Sequence, residues 1–366
     1  MTVDGLEPPP VTDRPRRWLR VLTPVASLAV VAVLVVAGRD RFVDAIGNLT
    51  GVRWRWVLAA AVAEAVSMGA LARQQARLLR AGGGHAPLNQ VVATTYAGNT
   101  ISVGLPVAGP AAGTLYTFRR LRELGNEPAL VSWVLTVSGV FSTVSFAVVI
   151  AVGCVLVGSP AGVVGALLAG VVAVVPSVVL LLALRSPAAQ ERVVGWVVPV
   201  VGWVAARVRR LDGPRAQSAV SGLVRQLGSQ RLGRRDAAVV AGWSLVNWLA
   251  DAACLALALV AVDVPVPWTG ILIAWAAGAG AATLGLTPGG IGVVETALTA
   301  ALVGVTVPLP DAVSAVLVYR FISLWLVFAV GAVLLALPRR GPHSRPRPRS
   351  PAAAPGEPDG RTPPPP

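Results

Sequence analysis

The chain has 366 residues, is 55% hydrophobic and has a mean hydropathy of +0.69, too apolar for a soluble domain and in the range of a polytopic membrane protein. Its net charge of +14 comes from 31 basic residues, all arginine. They sit between apolar segments and not in one stripe with aromatics, which excludes nucleic acid as the expected partner and favours a role in membrane topology. Cys154 and Cys254 fall within apolar segments, and His85 and His343 stand apart. No disulfide framework, metal site, Ser-His-Asp site or cofactor is therefore expected.

In chain order, residues 1–20 read as a disordered cytoplasmic N-terminus. A first span is expected over 21–38, an uncleaved anchor preceded by four arginines. A second follows over 56–71, with Trp54 and Trp56 at its boundary. Arg73, Arg77 and Arg80 then give a short segment one basic face. The apolar stretch 88–118 is interrupted between Asn99 and Pro106 and again at Gly109, Pro110 and Gly113, with Arg119, Arg120 and Arg122 beyond it. Basic residues on both sides predict a hairpin that dips in and returns to the same face. Spans are expected over 130–157 and 161–184, joined by a tight turn at Gly158-Ser159-Pro160.

Residues 185–236 carry ten arginines and form a basic cytoplasmic or interfacial segment, with 193–204 too short to cross. A span is expected over 237–262 and the last over 312–337. Between them, arms at 268–285 and 291–307 flank the break Gly285-Leu286-Thr287-Pro288-Gly289-Gly290-Ile291-Gly292. The tail, 338–366, is Pro/Arg-rich and reads as disordered and cytoplasmic. With both termini inside, 26 of the 31 arginines face the cytoplasm, as the positive-inside rule requires. The fold class is thus an all-α polytopic integral membrane protein of the cell membrane, with about six full spans and two re-entrant helical hairpins over 21–337. The hairpins enter from opposite faces, which suggests an inverted repeat with a site near the midplane.

Glu64, Asp251, Glu295 and Arg320 lie within apolar segments. Each costs at least about 2.5 kcal/mol at the bilayer centre unless it is paired or wet. Glu295 sits in the first turn after the glycine break, where a helix start favours an anion. It either caps that helix or pairs with Arg320, or serves substrate or a proton, and these roles are compatible. Arg320 either neutralises Glu295 or presents a bidentate donor to a phosphate. Asp251 is expected to hydrogen-bond Asn247 four residues before it, and Glu64, with Ser67 and Met68 one turn on, has no partner visible in the sequence. Asn99, Thr100 and Ser102 either satisfy the opened backbone of the first hairpin or touch a head group. No Walker-type loop, His-Glu-x-x-His motif or nucleophile elbow occurs.

The stretch from Asn99 to Pro106, with Gly109, Gly113 and Arg119-Arg120, resembles the membrane domain of lysylphosphatidylglycerol synthases and their stand-alone, flippase-like relatives. The more specific block is Pro288-Gly289-Gly290-Ile291-Gly292-Val293-Val294-Glu295, followed by Tyr319-Arg320 and Trp325. The first break of that family usually carries a Gly-Gly pair and a nearby acidic residue, whereas this chain reads Gly109-Pro110-Ala111-Ala112-Gly113-Thr114. The resemblance implies a lipid translocator without the cytosolic transferase domain, and so not an aminoacyl-transfer enzyme. Its partners would be membrane lipids with anionic or zwitterionic head groups. The residues expected to meet them are Asn99, Pro106, Gly109, Gly113, Asp251, Pro288, Gly289, Gly290, Gly292, Glu295, Tyr319, Arg320 and Trp325. A membrane-embedded enzyme on a lipid-linked substrate, with Glu295 or Asp251 as general base, and a non-catalytic partner of a cell-envelope complex are the alternatives.

Overall fold

The computed structural model describes residues 51–105, 108–158, 232–283 and 287–337, with 195 and 199 as isolated positions. The spans expected over 21–38 and 161–184, most of the basic segment 185–236, both tails, Pro106 and Gly285-Leu286 lie outside the described residues. The described residues up to Ala336 belong to one compact unit, and every regular element among them is a helix.

Among the described residues, four helices are long and apolar enough to cross a membrane: α1 (Trp54–Ala81), α4 (Pro128–Val157), α5 (Arg234–Ala261) and α8 (Leu309–Ala336). They coincide with the four expected spans that fall within the described residues. The shorter helices are α2 (Leu88–Gly104), α3 (Gly109–Glu123), α6 (Ile271–Thr283) and α7 (Val293–Gly304). Prolines open α3, α4 and α8, where a missing N–H is no loss and a fixed φ suits the first turn. Gly158 ends α4 in the left-handed conformation.

The sequence reading made Arg73, Arg77 and Arg80 a separate basic segment. Instead they continue α1 without interruption. Its 28 residues span about 42 Å, longer than a hydrocarbon core of about 30 Å, so a helix of this length can carry its arginines beyond the apolar layer. Arg77 Nε donates to Asp236 Oδ1 at 2.7 Å, and Arg73 stacks over Trp243 at 5.4 Å.

The chain repeats one plan: long helix, short hairpin, long helix. The first copy is α1, α2–α3 and α4; the second is α5, α6–α7 and α8. The leading helices α1 and α5 run antiparallel along their length. Arg53 N–H donates to Ala261 O at one end, Asn247 Nδ2 to Ser67 Oγ at 2.8 Å in the middle, and Arg77 meets Asp236 at the other. The other helix contacts come in matched sets. α2 packs on α8 as α6 packs on α4; α4 packs on α5 as α8 packs on α1; α3 packs on α4 as α7 packs on α8. Because α1 and α5 point in opposite directions, the two hairpins start from opposite ends of this pair. One end gathers Arg73, Arg77, Arg80, Arg119, Arg120, Arg122, Arg234 and Arg235, while the other holds Arg53 and Arg55. Asn126 ties the loops of the basic end together, donating to His85 O and Leu121 O and accepting from His85 N–H at 3.0 Å.

Lipid tails are as apolar as leucine, so helices in a bilayer associate by close packing more than by hydrophobic exclusion. At Gly109 a Cβ would fall on the Ser102 carbonyl, and at Gly113 on Ser102 Oγ; these two contacts let α3 lie directly against α2. The larger core lies mainly in the second half, joined from the first by Ala60 and Val149; there Phe146, Trp248 and Trp275 meet with centroids 5.0–5.7 Å apart beside Leu255, Leu259 and Leu298.

Candidate functional site

After α6 ends at Thr283, the described chain resumes at Thr287 and turns through Pro288–Gly290 before α7 begins at Val293. Gly289, Gly290 and Gly292 have φ of 63°, 67° and 84°, left-handed values that side chains rarely adopt. This is why the break is written in glycine. Its backbone is secured locally: Thr287 Oγ1 donates to Ile291 O at 2.8 Å, and Thr296 Oγ1 to Gly292 O at 2.6 Å. Glu295 Oε2 accepts the N–H of Gly292 at 2.6 Å, placing a carboxylate at the positive start of α7.

Glu295 Oε1 also accepts from Arg320 Nε at 2.7 Å, and Arg320 Nη2 donates to Gly289 O. For Glu295, the cap and the ion pair of the structural reading both hold in this conformation. Arg320 is 8% exposed, while the Glu295 side chain keeps 26% of its surface accessible. One guanidinium thus bridges both ends of the glycine break. Directly after it, α8 widens into a π turn over Phe321–Leu326, a feature the sequence reading did not contain and one frequent at functional sites.

The tips of the two hairpins meet. Val103 and Gly104 from the first, Gly289 and Ile291 from the second, and Leu324, Trp325 and Phe328 from α8 line an apolar crevice of about 250 Å³ including its open mouth. The junction is held in part by Thr100 Oγ1, which donates to Phe328 O at 3.3 Å.

Asp251 does not bond Asn247, contrary to expectation. Asn247 turns to Ser67 across the α1–α5 contact, and Asp251 Oδ1 instead accepts from Tyr319 Oη at 2.8 Å. Glu64, whose partner was unreadable, lies against Asp251 from α1. An i−4 neighbour was the closest polar group in the sequence, but helix–helix contact outranked it.

The remaining expected residues divide. Pro288, Gly289, Gly290, Gly292, Glu295, Tyr319, Arg320 and Asp251 gather around the second break, and Trp325 lines the crevice next to it. Gly109 and Gly113 serve the α2–α3 contact and do not line the crevice. Asn99 is partly exposed on α2 and makes no hydrogen bond among the described residues.

The family model described as the lysylphosphatidylglycerol synthase TM region matches residues 21–331, most of the chain. The protein belongs to this family. No curated protein matches it. The family match covers all eight helices except the last turns of α8, so the glycine break, the Arg320–Glu295 pair and the π turn all lie inside the shared region.

Proposed function

We propose that the protein is a lipid translocator, flippase-like and without covalent chemistry, acting on a phospholipid or lipid-linked head group in the cell membrane with both termini cytoplasmic. In this reading α2–α3 and α6–α7 are re-entrant hairpins of an inverted repeat, two further spans cross at 21–38 and 161–184, and the basic end of the bundle faces the cytoplasm. The gathering of eight arginines at one end and two at the other supports the orientation. The antiparallel α1–α5 pair and the matched helix contacts support the repeat.

The observation that carries the proposal is the meeting of two interrupted helices beside a bridging arginine. Helix breaks inside lipid survive only where protein or a wet cavity covers them. Here one break is covered by the other hairpin and held by Arg320. A zwitterionic head group can divide the Arg320–Glu295 pair, its phosphate taking the guanidinium and its amine taking the carboxylate, without leaving either charge alone. The acyl chains stay in lipid, and the apolar crevice keeps the path shut until the hairpin tips part.

Vesicles containing the purified full chain and acyl-labelled fluorescent phosphatidylethanolamine test this. An impermeant quencher reads the rate at which the probe crosses. The wild type should speed crossing well above protein-free vesicles, and Glu295→Gln and Arg320→Ala should return it to that background. No acceleration, or full activity in both folded variants, would refute the proposal.

A further inference from the structure

Beyond the Arg320–Glu295 pair, two interior carboxyls have no cation of their own among the described residues. Glu64 on α1 and Asp251 on α5 face each other across the antiparallel helix pair, and their carboxyl groups adjoin. Glu64 is 6% exposed, and its Oε2 has no hydrogen-bond partner. Trp275 enters from α6, wholly buried, with its indole N–H directed at Asp251. Tyr319 from α8 donates to Asp251 Oδ1 at 2.8 Å.

Among the described residues, the other groups facing the pair are Tyr96 from α2, Cys254 from α5 and Arg320 from α8. α7 contributes Glu295 only through Arg320. The sole ionisable side chain of α4, Cys154, lies by Gly153 at the end where α6 begins. Arg320 is the one cation of the set, and its Nε and Nη2 are already committed to Glu295 and Gly289.

Two carboxylates side by side in an apolar interior cannot both stay ionised; the usual resolution is one proton held between them. A resident metal ion is the other way to balance them. Among the described residues, however, no group of three or more His, Cys, Asp or Glu side chains is placed to hold one. The burial of Glu64 gives such a proton a protected seat.

We propose that Glu64 and Asp251 form an intramembrane proton-binding site, holding one proton between their carboxyls next to the Arg320–Glu295 latch. On binding, the proton forms an O–H bond on one carboxyl, which donates to the other; on release, both become carboxylates and one negative charge is added beside Arg320. Tyr319 and Arg320 are consecutive, so the residue that reads Asp251 and the residue that closes the glycine break share one turn of α8. The proposed translocation supplies the use of this proton, but the site itself does not depend on that reading.

Infrared difference spectroscopy of the purified full chain in detergent, between neutral and alkaline buffer, tests the site with no lipid transport involved. The wild type should show the carbonyl stretch of a neutral carboxylic acid that is lost on alkalinisation. Glu64→Gln, which copies the shape of the protonated acid and should therefore fold, is expected to abolish that signal, and Asp251→Asn to abolish or shift it. Glu295→Gln should retain it. Absence of the signal in the wild type would overturn the proposal. So would its persistence unchanged in both Glu64→Gln and Asp251→Asn, or a melting temperature that rises with sodium at fixed pH in the wild type but not in Glu64→Gln.

Discussion

The two hairpins share a scaffold position and almost no chemistry. The first, α2–α3, is closed by small residues, with Ser102 against Gly109 and Gly113, and carries no charge from Leu88 to Phe118. The second, α6–α7, replaces a close-packed tip with a glycine turn held by a carboxylate at its helix start and an arginine from α8. A repeated architecture has therefore been left neutral on one side and charged on the other. In the proposed mechanism one hairpin would serve as a wall, and the other would hold the groups that bind and release a ligand.

Substitution at equivalent places should expose this asymmetry, most strongly at Arg320. Arg320→Ala leaves Glu295 without its cation and frees the Gly289 carbonyl. Removing one partner of a buried pair costs roughly 3–5 kcal/mol, and the partial exposure of Glu295 puts this case near the lower end. Arg320→Lys keeps the charge but not the fork that reaches both groups, and should recover only part of the loss. Asn99→Ala, at the tip of the other hairpin, should change stability by less than about 0.5 kcal/mol. Thermal unfolding in detergent measures all three. An Asn99→Ala effect as large as that of Arg320→Ala would mean the charged hairpin is not the special one.

Glycine substitutions sharpen the comparison through different physics. Gly109→Ala pushes a methyl into the Ser102 carbonyl, and since backbone cannot step aside, overpacking should cost about 1–3 kcal/mol. Gly292→Ala meets nothing within 4 Å, yet the residue has φ of 84°, so the cost is conformational, about 1–2 kcal/mol. If the first hairpin is a wall and the second a working part, Gly109→Ala should lower the melting temperature with little change in crossing rate per folded molecule. Gly292→Ala should impair crossing beyond its smaller effect on stability.

What was legible in the sequence follows the same division. Hydropathy located the four long helices among the described residues, and proline and glycine located both breaks, because these signals are local. The pairing of Glu295 with Arg320 was one of two open readings, since a carboxylate at a helix start and a lone intramembrane arginine each need a counter-charge. The Asp251 partner was misjudged because its i−4 neighbour, Asn247, is claimed by Ser67 on another helix. Glu64 beside Asp251, 187 positions apart, required the antiparallel α1–α5 register, and nothing in either segment announces it. The π turn after Arg320 was equally hidden, since Phe321–Leu326 reads as ordinary apolar helix.

That register also yields the smallest predicted effect. Ser67 and Asn247 are separated by the same 180 positions as Trp54 and Arg234, the first residues of α1 and α5, so their hydrogen bond lies where the two repeats cross. Asn247→Leu removes the bond but keeps a side chain of similar volume. Interhelical hydrogen bonds in membrane proteins average only about 0.6 kcal/mol, because the separated helices find other partners. Thermal unfolding should therefore fall only slightly, and crossing should be unchanged. A loss of several kcal/mol would mean that the halves are joined by this polar contact and not by the packing of Ala, Leu and Trp around it, and the wall-and-latch distinction would then extend to the axis itself.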